Sequence, residues 1–303
     1  MDKSFKDSQA VIDALDKVGY VAEEELATML FLTLKLEKPL LLEGEPGVGK
    51  TEVANVLARI LGTDLIRLQC YEGLDVHSAV YEWNYQKQLL SIKIQEKSDK
   101  SEEEKEAHIF SEQFLLKRPL LKSITTKDKA PGLLRDEIDR ADEEFEAFLL
   151  ELLSAFQISI PELGTIHANH KPIIILTSNR TRELGDALKR RCLYHWVPYP
   201  DMEKELKIVE KHLPGIKERL SQQLVSMVHE LRKRKLQKMP GIAETLDWAS
   251  ALLALEHKYI SKVNIEKTLG CVLKSSDDIE LVRSEGVDKF LAAVGLEVNE
   301  TVS

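Results

Sequence analysis

The stretch that most constrains this chain runs from residue 38 to residue 62, KPLLLEGEPGVGKTEVANVLARILG. A short apolar run from Pro39 to Glu43 leads through a turn, Gly44 to Gly49, into a segment starting at Lys50. There Val53, Val56, Leu57, Ile60 and Leu61 recur at helical spacing. The pattern predicts a buried strand, a glycine-rich turn and an amphipathic helix. The turn fits G-x-x-x-x-G-K-[ST]: its glycines let backbone N–H groups close on a phosphate without Cβ clashes, at a helix N-terminus that already favours anions. Lys50 would then reach the β- and γ-phosphates of a nucleotide, and the Thr51 hydroxyl would ligate Mg²⁺. Glycine suits any strand-to-helix turn, so the motif draws its weight from its place between apolar strand and amphipathic helix.

A second anchor is APGLLRDEIDRADEEFEAFLLELLSAF, residues 130–156. A short apolar strand ending in Asp136 and Glu137 supplies what a phosphate-loop ATPase needs opposite its loop. Asp136 would hold Mg²⁺ through water, and Glu137 would orient and polarise the attacking water. The same pair can be an exposed acidic strand end. Arg135 is discordant, because a central α/β strand is apolar on both faces and a buried guanidinium needs a partner. It is expected either to snorkel to a neighbouring acid or to sit where the strand end is less enclosed. Residues 172–178 (PIIILTS) read as a central strand tipped by Asn179, whose amide can meet the attacking water or γ-phosphate; taken alone it is a turn residue. A helix over 181–190 is expected to end in Arg190 and Arg191 before the strand LYHWV. These arginines either complement the helix dipole or project into a neighbouring subunit's nucleotide site.

Composition narrows the function classes. A formal net charge of -9 leaves no overall basic field for general nucleic-acid binding. The run LRKRKLQK (231–238) could serve a nucleic-acid or acidic-partner contact, with a solvated helix face as the plainer reading. Cys70, Cys192 and Cys271 are widely spaced and suggest neither a disulfide framework nor a zinc site. No apolar run approaches the roughly 18 residues of a membrane span, and the N-terminus lacks a signal-peptide core, so a cytoplasmic location is expected. His167 and His170 lack a third ligand and read as loop histidines. Tyr71, Tyr81, Trp83 and Tyr85 form either a binding surface or ordinary packing. The charge run 97–106 reads as a solvated loop or an exposed helix start, and 157–168 as a β-hairpin turning at Pro161 to Gly164.

The length allows about two domains. Residues 1–199 are expected to form an α/β core, a parallel sheet flanked by helices, with two N-terminal helices over one side of the sheet near the adenine. Tyr199 and Pro200 mark a boundary, and 200–303 are expected to form an all-helical lid with helices at 202–212, 216–237, 243–259, 265–273 and 279–295 before a polar tail.

Loop, Asp-Glu strand, Asn-tipped strand, terminal arginines and helical lid occur in the order of an AAA+ ATPase. The strings LLEGEPGVGKTEVA, RLQCYEGLD, AVYEWNY, DEIDRADEEFEAFLLELL, TSNRTREL and ALKRRCLYHWVPYPD resemble the MoxR family, nearest its CoxD-type branch, associated with maturation of carbon monoxide dehydrogenase and related enzymes. The resemblance covers nearly the whole chain after the first helices. It implies that Gly44, Glu45, Pro46, Gly47, Val48, Gly49, Lys50, Thr51 and Glu52 bind ATP and Mg²⁺, that Asp136 and Glu137 form the Walker B pair, and that Asn179 is sensor 1. Arg191, with Arg190 next, would be an arginine finger acting in trans, which implies a ring, usually hexameric. A helix-2 insertion would lie in 70–90 and a hairpin before sensor 1 in 157–168. Such proteins act as chaperones that insert cofactors or activate metalloenzymes, often beside a partner carrying a von Willebrand factor A domain. The chain departs from the pattern at Arg135, where an apolar residue normally precedes the Walker B Asp. It also lacks an evident sensor 2 arginine in PGIAETLDWASAL, where Thr245 falls near the expected place.

The leading expectation is therefore Mg²⁺-ATP hydrolysis coupled to remodelling or maturation of a protein client. Two alternatives share the scaffold: a nucleic-acid-stimulated motor or restriction subunit, and an adaptor that binds ATP and scarcely hydrolyses it.

Overall fold

The computed structural model describes residues 5–95 and 101–295. The polar tail expected at the end, and part of the charge run at 97–106, lie outside the described residues. The chain divides into two compact units. One comprises the segments up to Ala14, Glu23–Glu43 and Thr51–Trp196; the other comprises Leu15–Ala22, Gly44–Lys50 and the chain from Val197 onward.

The strands of the first unit are β1 (Leu40–Gly44), β2 (Leu65–Gln69), β3 (Tyr81–Trp83), β4 (Leu115–Lys117), β5 (Gly132–Asp136), β6 (Gln157–Ile160), β7 (Gly164–His167), β8 (Ile173–Ser178) and β9 (Leu193–Val197). Five of them form one sheet in the order β2-β5-β8-β1-β9. The β1–β8, β2–β5 and β5–β8 pairs are parallel, with Leu40 opposite Ile175 and Leu134 opposite Ile175 on either side of β8. β1, β5 and β8 are buried along their whole length, apolar in their first parts (Leu40–Leu42, Leu133–Leu134, Ile173–Leu176) and polar only toward their C-terminal ends. β2 lies at the edge and alternates: Ile66 and Leu68 enter the core while Arg67 and Gln69 stay exposed.

The helix Glu143–Ala155 packs Phe145, Leu149, Leu152 and Leu153 into that core. Its N-cap Asp142 accepts from the Phe145 N–H at 2.8 Å, satisfying an otherwise orphaned donor. The expected hairpin is present as β6 and β7, joined through Pro161–Leu163. The aromatic stretch divides. Tyr81 and Trp83 are buried on the small β3–β4 sheet, with Trp83 edge-on to Phe110 at 5.4 Å, whereas Tyr71 and Tyr85 are exposed. The helix Tyr85–Gln95 also leaves Leu89, Leu90 and Ile94 open.

Several expected helices are altered: those expected over 216–237 and 243–259 end early, as Glu218–Arg232 and Ile242–Ala254. The segment expected as a helix over 181–190 is helical only over Asp186–Lys189, because Asp139 takes the Thr181 N–H and Glu146 takes the Gly185 N–H. The last expected helix breaks into Ser276–Glu285 and Val287–Ala293 at Gly286, whose φ of 87° is ordinary only for glycine.

In the second unit, helices Met202–His212, Glu218–Arg232, Ile242–Ala254 and Lys262–Val272 join that final pair around one apolar core containing Trp248, Leu224 and Phe290. Its polar centre is Glu205, fully buried. Glu205 accepts from Arg232 Nη1 and Nη2 at 2.6 and 2.8 Å and from Thr245 Oγ1 at 2.6 Å, and it pairs with His229 Nε2 at 2.8 Å. Burial pushes its carboxyl up, yet these bonds from His229, Arg232 and Thr245 hold it below the usual carboxylate value.

Candidate functional site

The glycine-rich loop Gly44–Lys50 belongs to the second unit. Gly47 and Gly49 adopt φ of 78° and 91°. A Cβ on Gly44 would fall 2.3 Å from the Val197 carbonyl oxygen. The loop is held by the start of helix Ile242–Ala254: the Ile242 N–H donates to the Gly47 carbonyl at 2.8 Å, and a Cβ on Gly241 would meet Gly47 backbone at 2.6 Å. Lys50 is buried and curls back, its Nζ donating to the Gly44 and Glu45 carbonyls at 2.7 Å each. A cavity of about 460 Å³ opens beside the loop, lined among others by Pro46, Tyr199, Met239 and Glu244. These features fit a phosphate chain: positive-φ glycines, a lysine ammonium at the loop, and the start of a 12-residue helix.

In the first unit the acids fall together. The Thr51 hydroxyl donates to Asp136 Oδ1 at 2.9 Å, and the Thr177 hydroxyl donates to the same oxygen at 2.6 Å. Thr177 also accepts the Glu137 N–H at 3.0 Å, at a residue whose φ of 54° turns the chain out of the strand. Glu137 is then met by Gln69 Nε2 at 3.1 Å, Arg140 Nε at 2.9 Å and Asn179 Nδ2 at 3.4 Å. Asn179 is fixed from behind by Asp139, which accepts from the Asn179 and Thr181 N–H groups and from the Thr181 hydroxyl. A hydroxyl and a carboxylate in contact form a hard oxygen donor pair, which suits Mg²⁺. Thr51, Asp136, Glu137 and Asn179 are thus brought into one cluster.

The two arginines differ. Arg191 Nε donates to the Ser154 hydroxyl and Nη1 to the Ala187 carbonyl at 2.7 Å, whereas Arg190 is exposed. Thr245, near the expected sensor 2 place, is buried against Glu205, and Gly241 occupies the approach to the loop.

Arg135 departs from both expectations. It is 0% exposed, and among the described residues no carboxylate pairs with it. Its Nη2 lies 3.6 Å from Cys70 Sγ, its guanidinium carbon sits 4.6 Å from the Phe145 ring centroid, and Nε and Nη1 find no partner among the described residues. The reason is strand alternation: Asp136 faces the loop helix, so Arg135 must face the apolar core on the other side. Burial pulls the guanidinium pKa down and pushes the Cys70 thiol up, opposed there by the Arg135 charge.

In the basic run 231–238, Lys235 and Lys238 are exposed and three other cations are ion-paired. Arg232 is held by Glu205, Lys233 by Glu230, and Arg234 by Glu230 and Glu285.

The model of the AAA domain, dynein-related subfamily, matches residues 39–192, which is 154 of 303 residues. The chain belongs to this family. This AAA protein is also similar to solved structures of Thermotoga maritima RuvB. An alanine-to-serine mutant matches with TM-score 0.52 and 17% identity over 94% of this chain and 85% of that one. A lysine-to-arginine mutant matches with TM-score 0.50 and 17% identity over the same shares. At that identity the likeness speaks to the fold: a parallel five-stranded P-loop core with a C-terminal helical region. Among the described residues no helix is long and apolar enough to cross a membrane.

Sequence reasoning missed Arg67, Gln69, Thr177, Asp139 and Arg140 around the acids of this AAA protein. For Arg67 and Gln69 a signal existed in LIRLQ, where polar residues alternate with Ile66 and Leu68 as on an edge strand facing a polar site.

Proposed function

We propose that this AAA protein is an Mg²⁺-dependent ATPase of MoxR type, CoxD-like branch, that couples hydrolysis in a ring to maturation of a protein client, by preference a metalloenzyme. The observation that carries the ATPase reading is the hydroxyl of Thr177, which ties Asp136 and Glu137 into one hydrogen-bonded unit beside Thr51. The MoxR reading rests on sequence strings spread along most of the chain.

In this reading Gly44 to Glu52 hold the triphosphate, Lys50 leaves its two carbonyls for the phosphates, and Thr51 and Asp136 hold Mg²⁺. The bound ion supplies charge stabilisation at the phosphoryl oxygens. Glu137 orients the attacking water and receives its proton on the carboxylate, while Asn179 aligns that water. An arginine from a neighbouring copy, Arg191 or Arg190, stabilises charge on the γ-phosphate. The exposure of Arg190 and the internal bonds of Arg191 favour Arg190 for that reach. We take residues 1–199 as the core and 200–303 as the lid. Open Tyr85, Leu89, Leu90 and Ile94 support a client-facing role for the insertion. A von Willebrand factor A domain partner belongs to the same reading. Three free cysteines support a reducing, cytoplasmic setting.

The pairing of Arg232, Lys233 and Arg234 with acids, and the net charge of -9, weigh against a nucleic-acid motor. The reading is tested by steady-state ATP hydrolysis of wild type and Glu137→Gln, with molar mass measured with and without ATP. Turnover lost in the mutant, with an ATP-dependent rise to ring mass, is expected. ATP binding without turnover, by a monomer throughout, overturns it in favour of a non-hydrolysing adaptor.

A further inference from the structure

Arg67 stands on the edge strand β2 two residues before Gln69, which is opposite Asp136 in the β2–β5 register, so all three share one face of the sheet. Its Nη2 lies 2.5 Å from Asp136 Oδ2 and 2.9 Å from Gln69 Oε1. The side chain is 55% exposed while that of Asp136 is 6% exposed. A carboxylate this enclosed is costly to keep charged without a counter-charge, and among the described residues it meets two neutral hydroxyls and the Arg67 cation. Nothing in the core depends on the Arg67 head, since Ile66 and Leu68 carry the packing of β2. Its long stem can swing outward while the strand stays in place.

A divalent ion at Asp136 and a guanidinium at Oδ2 of the same carboxylate would place like charges side by side. We propose that Arg67 is the resident counter-cation of Asp136, displaced when the divalent ion arrives with nucleotide. It is a positioning residue that keeps the carboxylate neutralised in the metal-free state and sets the Mg²⁺ concentration at which the ion takes over. This rests on the reading of Thr51 and Asp136 as the Mg²⁺ pair.

The test is binding of a fluorescent, non-hydrolysable ATP analogue to the full chain in EDTA and across a Mg²⁺ titration, for wild type, Arg67→Gln and Arg67→Lys. In Arg67→Gln the uncompensated Asp136 charge repels metal-free nucleotide and attracts the ion more strongly. Analogue affinity in EDTA is expected to fall roughly fivefold, and the half-saturating Mg²⁺ concentration to fall by a similar factor. Arg67→Lys, which keeps the charge, is expected to stay near wild type in both. A mere folding defect would weaken binding in both conditions equally. An Arg67→Gln protein whose ratio of affinities in Mg²⁺ and EDTA equals that of wild type overturns the proposal. Failure of wild type itself to bind the analogue, or binding indifferent to Mg²⁺, instead removes the nucleotide reading on which it rests.

Discussion

Thr177 donates its hydroxyl proton to Asp136 Oδ1 at 2.6 Å, and through the same oxygen it accepts the backbone N–H of Glu137 at 3.0 Å. One buried hydroxyl on β8 therefore orients both acids at the end of β5. Replacing it by an isosteric methyl, Thr177→Val, leaves the Glu137 N–H without its acceptor and one Asp136 lone pair bare. We expect a loss of roughly 10- to 100-fold in Mg²⁺ affinity or ATP turnover. Stability should fall by about 1–3 kcal/mol. Mg²⁺-dependent nucleotide binding and urea unfolding read the two effects separately. Unchanged values in both would remove Thr177 from the site.

Arg135 predicts the opposite direction for stability. Its guanidinium is enclosed with a thiol and a ring for company, and two of its nitrogens have no partner among the described residues. An apolar residue of similar length recovers the packing without the desolvation cost, so Arg135→Met is expected to raise unfolding free energy by about 1 kcal/mol or more. Denaturant melts of the two proteins decide it, and a clear destabilisation would show that the Cys70 and Phe145 contacts outweigh desolvation.

Glu205 links pH to the helical unit. Its folded pKa lies below the ordinary glutamate value, so its contribution is fully present above that ordinary value and is lost as pH falls through the lower folded one. Melting temperature should therefore drop steeply on acidification below about pH 4.5. Glu205→Gln should flatten that limb while costing about 3 kcal/mol or more at neutral pH, because the buried Arg232 guanidinium loses its counter-charge. A mutant with the same acid limb as wild type would place the titration elsewhere.

Gly241 and Gly47 touch through backbone, so Gly241→Ala must push the loop, or the start of helix Ile242–Ala254, away from the Ile242–Gly47 hydrogen bond. Nucleotide affinity is expected to fall about tenfold, with the fold otherwise intact. Equilibrium binding with a circular dichroism control measures this. Wild-type affinity in the mutant would mean the contact is incidental.

What the sequence determined by itself is local. The loop Gly44–Thr51, the strands around Asp136 and Asn179, the hairpin at 157–168 and most lid helices follow from glycine φ, apolar runs and 3.6-residue periodicity within a few neighbours. Tertiary structure decided whatever depends on partners far apart in the chain. The strand order β2-β5-β8-β1-β9 brings Arg67 and Gln69 to acids nearly seventy residues later, and Thr177 to Asp136 across forty. Arg232 meets Glu205, and Arg234 meets Glu285, only in the folded helical unit. Asp139 and Glu146 reach forward to residues 179–185 and keep most of the expected helix there from forming. A side chain's charge and period are written in its immediate sequence; which buried group it must satisfy is settled only when the sheet and helices close around it.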